Sequence, residues 1–117
     1  MTPEEVRLVM NGWLENQSQV ALVGQLWGFA LAVRCRIEVV TDESVGLTTS
    51  DGGRIVVDIS EPGTAFKYAE RRELPKLAER FGLTGEQLFA PSITMLFPSR
   101  SEEDEPSESL HFAELIP

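Results

Sequence analysis

Cys35 and His111 are the single cysteine and the single histidine of the sequence, and both belong to residue types that often carry catalysis. A nucleophile needs a base within hydrogen-bonding reach, and no serine or cysteine motif accompanies His111. Cys35 lies on the apolar side of a strand pattern, which favours a buried, reduced thiol over a reactive one and leaves no internal disulfide. The sequence therefore predicts a non-enzymatic protein with no catalytic residue, no cofactor and no metal site.

Acidic residues are concentrated between residues 99 and 109, the one stretch with the density of carboxylates that a cation site would need. Such sites place ligands at alternate positions around a glycine bend, and this stretch has neither feature. It also contains no large apolar residue, so it has nothing to bury. We predict a mobile, solvated acidic loop at 99–109.

The net charge of −9 bears on the choice of partners. Nucleic-acid binding normally depends on lysines and arginines that displace counterions from phosphates, so the sequence disfavours a nucleic-acid partner. No apolar run approaches the ~20 residues that span a bilayer, and Glu4 and Glu5 stand where a secretory signal carries positive charge. We expect a cytoplasmic protein without a membrane partner.

The segment 58–63 has the spacing Asp58-x-Ser60-x-x-Gly63. It resembles the loop with which PilZ domains bind a cyclic dinucleotide, and the resemblance implies a ligand loop at these three residues. PilZ domains also use an upstream Arg-x-x-x-Arg, which this sequence lacks. Asp and Ser beside Pro-Gly are equally typical of a plain turn, so both interpretations stand at this point.

Two regions have helical patterns. Thr2 and Glu5 form a capping box with Pro3 at the first helical position, and apolar residues then recur at helical spacing up to Leu14. A second helical pattern covers 73–87. Part of that pattern, 77–84, has the features of the first helix and turn of a helix-turn-helix, but a helical connector packed on the rest of the domain is the favoured interpretation.

Between the helical patterns, residues 19–69 alternate apolar and polar positions as strands do. Five strands are predicted: 19–27, 29–41, 45–50, 54–60 and 64–69. The second strand is too long to stay flat in a small domain, and Asp51-Gly-Gly53 marks a hairpin. Two further strand patterns follow at 92–97 and 110–116.

This layout over residues 3–70 resembles the Sm-like small barrel of Sm proteins and of the bacterial Sm-like RNA chaperone. In the first motif of that family, Asp42 and Val45 match, whereas Arg36 stands in place of a glycine and Gly46 in place of an asparagine. The second motif, Arg-Gly or Lys-His, is replaced by residues 60–63. The resemblance implies a barrel that assembles through its fourth and fifth strands.

The sequence thus predicts one α+β domain with an N-terminal helix, a five-stranded antiparallel barrel of Sm-like or SH3-like type, a short helical segment and a C-terminal β-hairpin. Residues 1–70 would form the helix and barrel, and residues 71–117 the helical connector and hairpin. The predicted function is a non-enzymatic assembly or protein-interaction module. An Sm-like RNA-binding ring and a nucleotide-sensing PilZ-like domain are the alternatives.

Self-association is the predicted mode of interaction, with another protein as the alternative partner. An open barrel leaves unpaired amides and carbonyls along its edge strands, here expected at 45–50 and 64–69. Lys67 is the only charge beside Phe66 and Tyr68, so these three residues are the candidate oligomer edge. In the competing arrangement, 92–97 or 110–116 covers that edge within the same chain.

Overall fold

One helix and seven strands make up the parts of the chain that the computed structural model describes, which are residues 1–26, 29–73, 89–97 and 109–115. In chain order they are α1 (Pro3–Glu15), β1 (Gln19–Leu26), β2 (Phe29–Val40), β3 (Ser44–Thr49), β4 (Arg54–Asp58), β5 (Ala65–Glu73), β6 (Phe89–Leu96) and β7 (Ser109–Leu115).

The capping box at the start of α1 confirms the predicted helix. The Thr2 amide donates to Glu5 Oε1 over 3.0 Å, and the Glu5 amide donates to Thr2 Oγ1 over 3.2 Å. These bonds satisfy amides that have no partner within the helix. Val6, Met10 and Trp13 are buried along one side of α1, so the apolar stripe faces the core as its spacing predicts.

The strands form a single open sheet in the order β4-β3-β2-β1-β7-β6-β5, with every neighbouring pair antiparallel. The prediction of a five-stranded barrel is therefore wrong. The two strands of the predicted C-terminal hairpin do pair with each other as β6 and β7, but they lie within the one sheet. β7 pairs with β1 from Ser109 to Leu115, and β6 joins β7 to β5. The C-terminal strands thus belong to the same sheet as the others. β7 pairs with the side of β1 that would pair with the fifth strand in a closed five-stranded barrel.

Other predictions about the second half of the chain fall partly outside the described residues. The predicted helical segment at 73–87 includes Glu73, which ends β5, whereas residues 74–88 are not described. The predicted acidic loop at 99–109 includes Ser109, the first residue of β7, and residues 99–108 are not described. The division of one structural domain into the segments 1–70 and 71–117 stays a prediction.

The connection between β4 and β5 requires the sheet to curl. β4 and β5 are its two edges, and in a flat sheet of seven strands the edges would lie roughly 29 Å apart. The chain between Asp58 and Ala65 reaches at most about 25 Å when fully extended, and it is shortened by a turn in which the Thr64 amide donates to the Glu61 carbonyl. The inner side of the curl therefore faces a common core.

That core is built from cross-strand rows of apolar side chains. In one row Leu22, Phe112 and Ile93 are paired across β1, β7 and β6, and all three are fully buried. The next row pairs Leu110 with Met95 and Met95 with Phe66. Together with the apolar residues of α1, β2, β3 and β4, these rows form one hydrophobic cluster, which holds the two ends of the sheet and the helix together.

The opposite face of the sheet is also buried at its centre. The residues involved have little or no exposed surface and alternate with the core positions: Ala21, Val23, Ser92, Thr94 and Ala113. As a result β1 is buried on both faces from Val20 to Val23, as expected of a strand in the middle of a sheet.

Candidate functional site

A step in the sheet beside β2 forms the candidate site. β2 pairs with β1 through residues 29–36 but with β3 only through residues 35–40, and a bulge lies between Ile37 and Val39. β3 therefore ends at Thr49, opposite Cys35, while β2 continues past it. A bulge bends a strand and changes its twist. The first part of β2 therefore pairs with β1 and its last part with β3, and the two partner strands are offset along β2.

A groove of about 140 Å³ lies at this step. Its walls come from β1, β2 and the end of β3: Gln19, Arg34, Cys35, Arg36, Thr48, Thr49 and Ser50. A wider and more open depression of about 590 Å³ adjoins it along the β3–β4 hairpin, where Ala32, Val33, Asp51, Gly53 and Arg54 join Arg34, Thr49 and Ser50. The groove and the depression are continuous with each other, since Arg34, Thr49 and Ser50 line both.

Arginine side chains determine the charge of the groove. Arg34 and Arg36 are two residues apart on β2, so they point to the same, outer face of the sheet. Arg36 lies opposite Gln19 on β1 and opposite Thr48 on β3. Both arginines are exposed. Within the described residues, Arg36 makes no hydrogen bond or ion pair, so its guanidinium is available to a ligand.

Glu38 is the acidic neighbour of this groove. Its carboxylate accepts a hydrogen bond from Thr48 Oγ1 over 3.0 Å and forms an ion pair of 3.4 Å with Arg54. The pair is largely exposed and contributes little to stability. It nevertheless places one negative charge next to Thr48, at the side of the groove away from Arg34.

The β3–β4 hairpin is held by local hydrogen bonds. Thr49 donates its amide to the Gly53 carbonyl and its hydroxyl to the Asp51 carboxylate, and Gly53 donates its amide to the same carboxylate. The Thr49 hydrogen bond is the main cause of a lowered pKa of Asp51. Gly52 has φ +90°, which favours glycine. The hairpin predicted at 51–53 is confirmed, and it positions Thr49 and Ser50 at the groove.

Cys35 lies at the base of the groove with only 4% of its surface exposed. Its thiol donates to the Val20 carbonyl over 3.4 Å. Burial raises the pKa of the Cys35 thiol from 9.0 to about 11. The thiol is therefore protonated at neutral pH, which agrees with the predicted buried, reduced cysteine.

We expect Cys35 to react with an aromatic disulfide reagent on the order of a hundredfold more slowly in the native protein than in urea at the same pH, since the thiolate is the reacting species. The raised pKa of Cys35 should also lower the free energy of unfolding as pH rises from about 9 to about 11. In that interval the thiol ionises fully in the unfolded chain but not in the native protein. Absorbance of the released thiolate measures the rate. Equal rates in the native and unfolded states would contradict the burial of Cys35.

The predicted ligand loop forms a local turn. Asp58 Oδ1 accepts from the Ser60 amide over 2.8 Å and from the Ser60 hydroxyl over 2.7 Å. The Ser60 amide bond is the main cause of a lowered pKa of Asp58. Gly63 has φ +87° in the following turn. Asp58, Ser60 and Gly63 are all exposed, and none of them lines the groove at the step of the sheet.

The candidate oligomer edge lies on β5, which is an edge strand of the sheet. Phe66 is buried in the core, Lys67 is exposed, and Tyr68 is 43% exposed. β6 covers one side of β5 within the same chain, as one of the two predicted arrangements has it, and leaves the other side without a partner strand in the described sheet. The prediction that 45–50 is also an edge is wrong, since β3 lies between β2 and β4.

His111 is half-buried on β7, and its Nδ1 lies 2.9 Å from Thr94 Oγ1 on the neighbouring strand. Ser92, two residues before Thr94 on β6, is fully buried, and its hydroxyl has no hydrogen-bond partner among the described residues. These residues lie on the face of the sheet opposite the core and away from Cys35, so the structure does not bring the cysteine and the histidine into one site.

The part of the chain that the structure describes contains no group of three or more metal-ligating side chains, and no helix in it is long and apolar enough to cross a membrane. Comparison of the chain with protein families, with curated proteins and with solved structures found no match.

The groove beside Arg34 and Arg36 and the two edge strands of the sheet are thus the candidate functional features of the described residues. Sequence patterns indicated the edge on β5 but missed the groove. The alternation along β2 predicted only that Arg34 and Arg36 lie on the exposed face of a strand, and it gave no sign that another strand ends beside them.

Proposed function

We propose that this protein is a non-enzymatic interaction module that self-associates through the edges of its sheet. The observation that carries the proposal is the position of β5 as an edge strand in the described sheet. Its residues 65–69 alternate the outward Lys67 with Phe66 and Tyr68, and contain no proline. Residues 65–69 thus carry a single charge and favour pairing with another strand, whereas residues 70–73 of the same strand are all charged.

β4 is the matching edge at the other end of the sheet. Val56, at its centre, is 73% exposed. Val56 pairs with Gly46 on β3, and Gly46 pairs with Val39 on β2, which is 47% exposed. A Cβ atom on Gly46 would lie 2.8 Å from Val39 Cγ1, so the Val39 side chain reaches over the glycine toward β4. This exposed apolar pair lies directly beside the β4 edge.

One register of an antiparallel pairing between β4 and β5 of a second copy matches the core faces, the outer faces and one pair of opposite charges. It places Val57 opposite Tyr68, both on the core side, and Asp58 opposite Lys67, both on the outer side. Opposite charges in directly facing positions stabilise a strand pair, whereas like charges destabilise it. Because the two edges differ, the contact is head-to-tail and gives a ring or an open chain.

The alternatives from the sequence have less support. The net charge of −9 disfavours an RNA-binding ring. Asp58 Oδ1 accepts both the amide and the hydroxyl of Ser60, which is the bonding of a plain turn and does not favour the nucleotide-sensing alternative. The same net charge opposes self-association, but repulsion between exposed charges is screened beyond roughly 8 Å at physiological salt.

Light scattering coupled to size exclusion tests the proposal at tens of micromolar protein. We expect a mass that is a multiple of 13.0 kDa. Lys67→Glu should reduce it to the monomer by placing two acids opposite each other. The double variant Asp58→Lys with Lys67→Glu should restore the oligomer, which a merely structural role for either residue would not do.

Arg36→Glu is the matched control, since it makes the same change of charge at an exposed position of β2, which is not an edge strand. It should leave the oligomer mass unchanged. A native mass of 13.0 kDa would contradict the proposal, as would an oligomer that persists in Lys67→Glu.

A further inference from the structure

We propose that the groove between β2 and the end of β3 binds the phosphate group of a small molecule, with Arg36 as its principal contact. Among the groove residues, Gln19 and Ser50 would supply further hydrogen-bonding groups and Arg34 further positive charge. Arg34 and Arg36 lie on the outer face of β2, and binding there does not require self-association through β4 and β5.

The residue types around the groove fit a tetrahedral oxyanion. Arg34 and Arg36 lie two residues apart on one face of β2, so their Cα atoms are about 6.6 Å apart. The planar guanidinium group of Arg36 presents paired N–H donors that match the oxygens of a phosphate, and Arg34 adds a nearby positive charge. The hydroxyl of Ser50 also lines the groove, whereas the hydroxyl of Thr48 already donates to Glu38. The Arg36 guanidinium and the Ser50 hydroxyl are donors of the kind that anionic oxygens accept.

The local charges favour an anion at Arg36 in particular. The Arg54 guanidinium is compensated by Glu38, whereas Arg36 has no ion pair or hydrogen bond among the described residues. Glu38 also accepts the Thr48 hydroxyl, and its negative charge should weaken anion binding at that end of the groove. Glu38 is therefore expected to reduce the affinity of the site.

The size of the site and the charge of the protein favour a small ligand over a nucleic acid. The groove has a volume of about 140 Å³, which accommodates one phosphate group, while the sugar or other body of the ligand would extend into the wider depression along the hairpin. A polyanion would meet the repulsion of a protein with a net charge of −9. A single phosphate group meets mainly the local arginines.

Titration of the native protein with inorganic phosphate, followed by ¹H–¹⁵N NMR, tests the site. We expect saturable shifts of the amides of Arg36, Thr48 and Ser50. Arg36→Gln should raise the Kd roughly tenfold, the usual effect of losing a hydrogen bond to a charged group. Glu38→Gln should lower the Kd about threefold by removing the neighbouring charge.

Arg7→Gln is the control, because Arg7 is an arginine in an exposed ion pair with Asp42, far from the groove. It should leave the Kd unchanged. Absence of saturable shifts with phosphate, or an equal Kd in the native protein and Arg36→Gln, would overturn the proposal. Circular dichroism of each variant shows whether the sheet is intact.

Parallel titrations with a nucleoside monophosphate and with a short oligouridylate identify the source of the phosphate. Tighter binding of the mononucleotide than of inorganic phosphate, with the same dependence on Arg36, would support a small phosphate ester. Equal binding of the two would support the free ion. Tighter binding of the oligouridylate than of either would overturn the assignment to a small molecule.

Discussion

Replacing Phe112 with alanine should lower the free energy of unfolding by about 3–5 kcal/mol, the usual cost of removing a buried phenylalanine from a packed core. Phe112 is fully buried on β7, between Leu22 of β1 and Ile93 of β6. Its ring therefore fills the row that joins the two halves of the sheet. Since small domains have only about 5–15 kcal/mol of stability in total, the variant should be close to unfolding at room temperature.

Urea denaturation followed by circular dichroism measures this loss. Leu8→Ala is the control, because Leu8 on α1 is 73% exposed and its truncation creates no cavity. It should change the free energy of unfolding by no more than about 0.5 kcal/mol. A Phe112→Ala protein as stable as Leu8→Ala would show that β7 does not lie between β1 and β6.

Replacing Gly24 with alanine should also destabilise the protein, by about 1–3 kcal/mol, because the added methyl group has no space. Gly24 lies on β1 opposite Leu110 of β7. A Cβ atom there would lie 2.5 Å from the backbone oxygen of Ser109 and 3.2 Å from Leu110 Cα. Backbone atoms cannot rotate out of the way as a side chain does, so β1 and β7 would have to separate locally.

Gly12→Ala is the matched control, since it makes the same chemical change on α1, where a Cβ atom would meet nothing within 4 Å. Alanine is favoured over glycine inside a helix by roughly 0.5–1 kcal/mol, so this variant should be more stable than the native protein. Opposite signs for the two variants are the expected result, measured as shifts of the urea midpoint. A neutral Gly24→Ala would contradict the close approach of β1 and β7.

The two large effects depend on the seven-stranded sheet. In the arrangement predicted from sequence, residues 110–116 belong to an extension outside the barrel, where truncation of Phe112 would cost less. In that arrangement β7 would not lie beside β1, and Gly24 would have no close backbone contact with it. Large losses at both positions would therefore distinguish the observed strand order from the predicted one.

Local elements of this protein were determined by the sequence itself. The capping box at Thr2 and Glu5 and the turn at Asp51 and Gly52 depend on side chains that bond to backbone atoms no more than three residues away. The alternation along β2, with Cys35 and Ile37 buried and Arg36 exposed, likewise follows from the two-residue repeat of any strand. Such interactions need no residue from elsewhere in the chain.

The order of the strands, and the site that depends on it, were decided only by the tertiary structure. Alternation shows which side chains share a face, but the backbone groups of an edge can pair with any other edge. β1 accepted β7, about 90 residues away in sequence, and this pairing buried both of its faces and made Gly24 a close contact. The groove at Arg36 exists because β3 stops where β2 continues, and that offset depends on pairing between strands, which no single segment encodes.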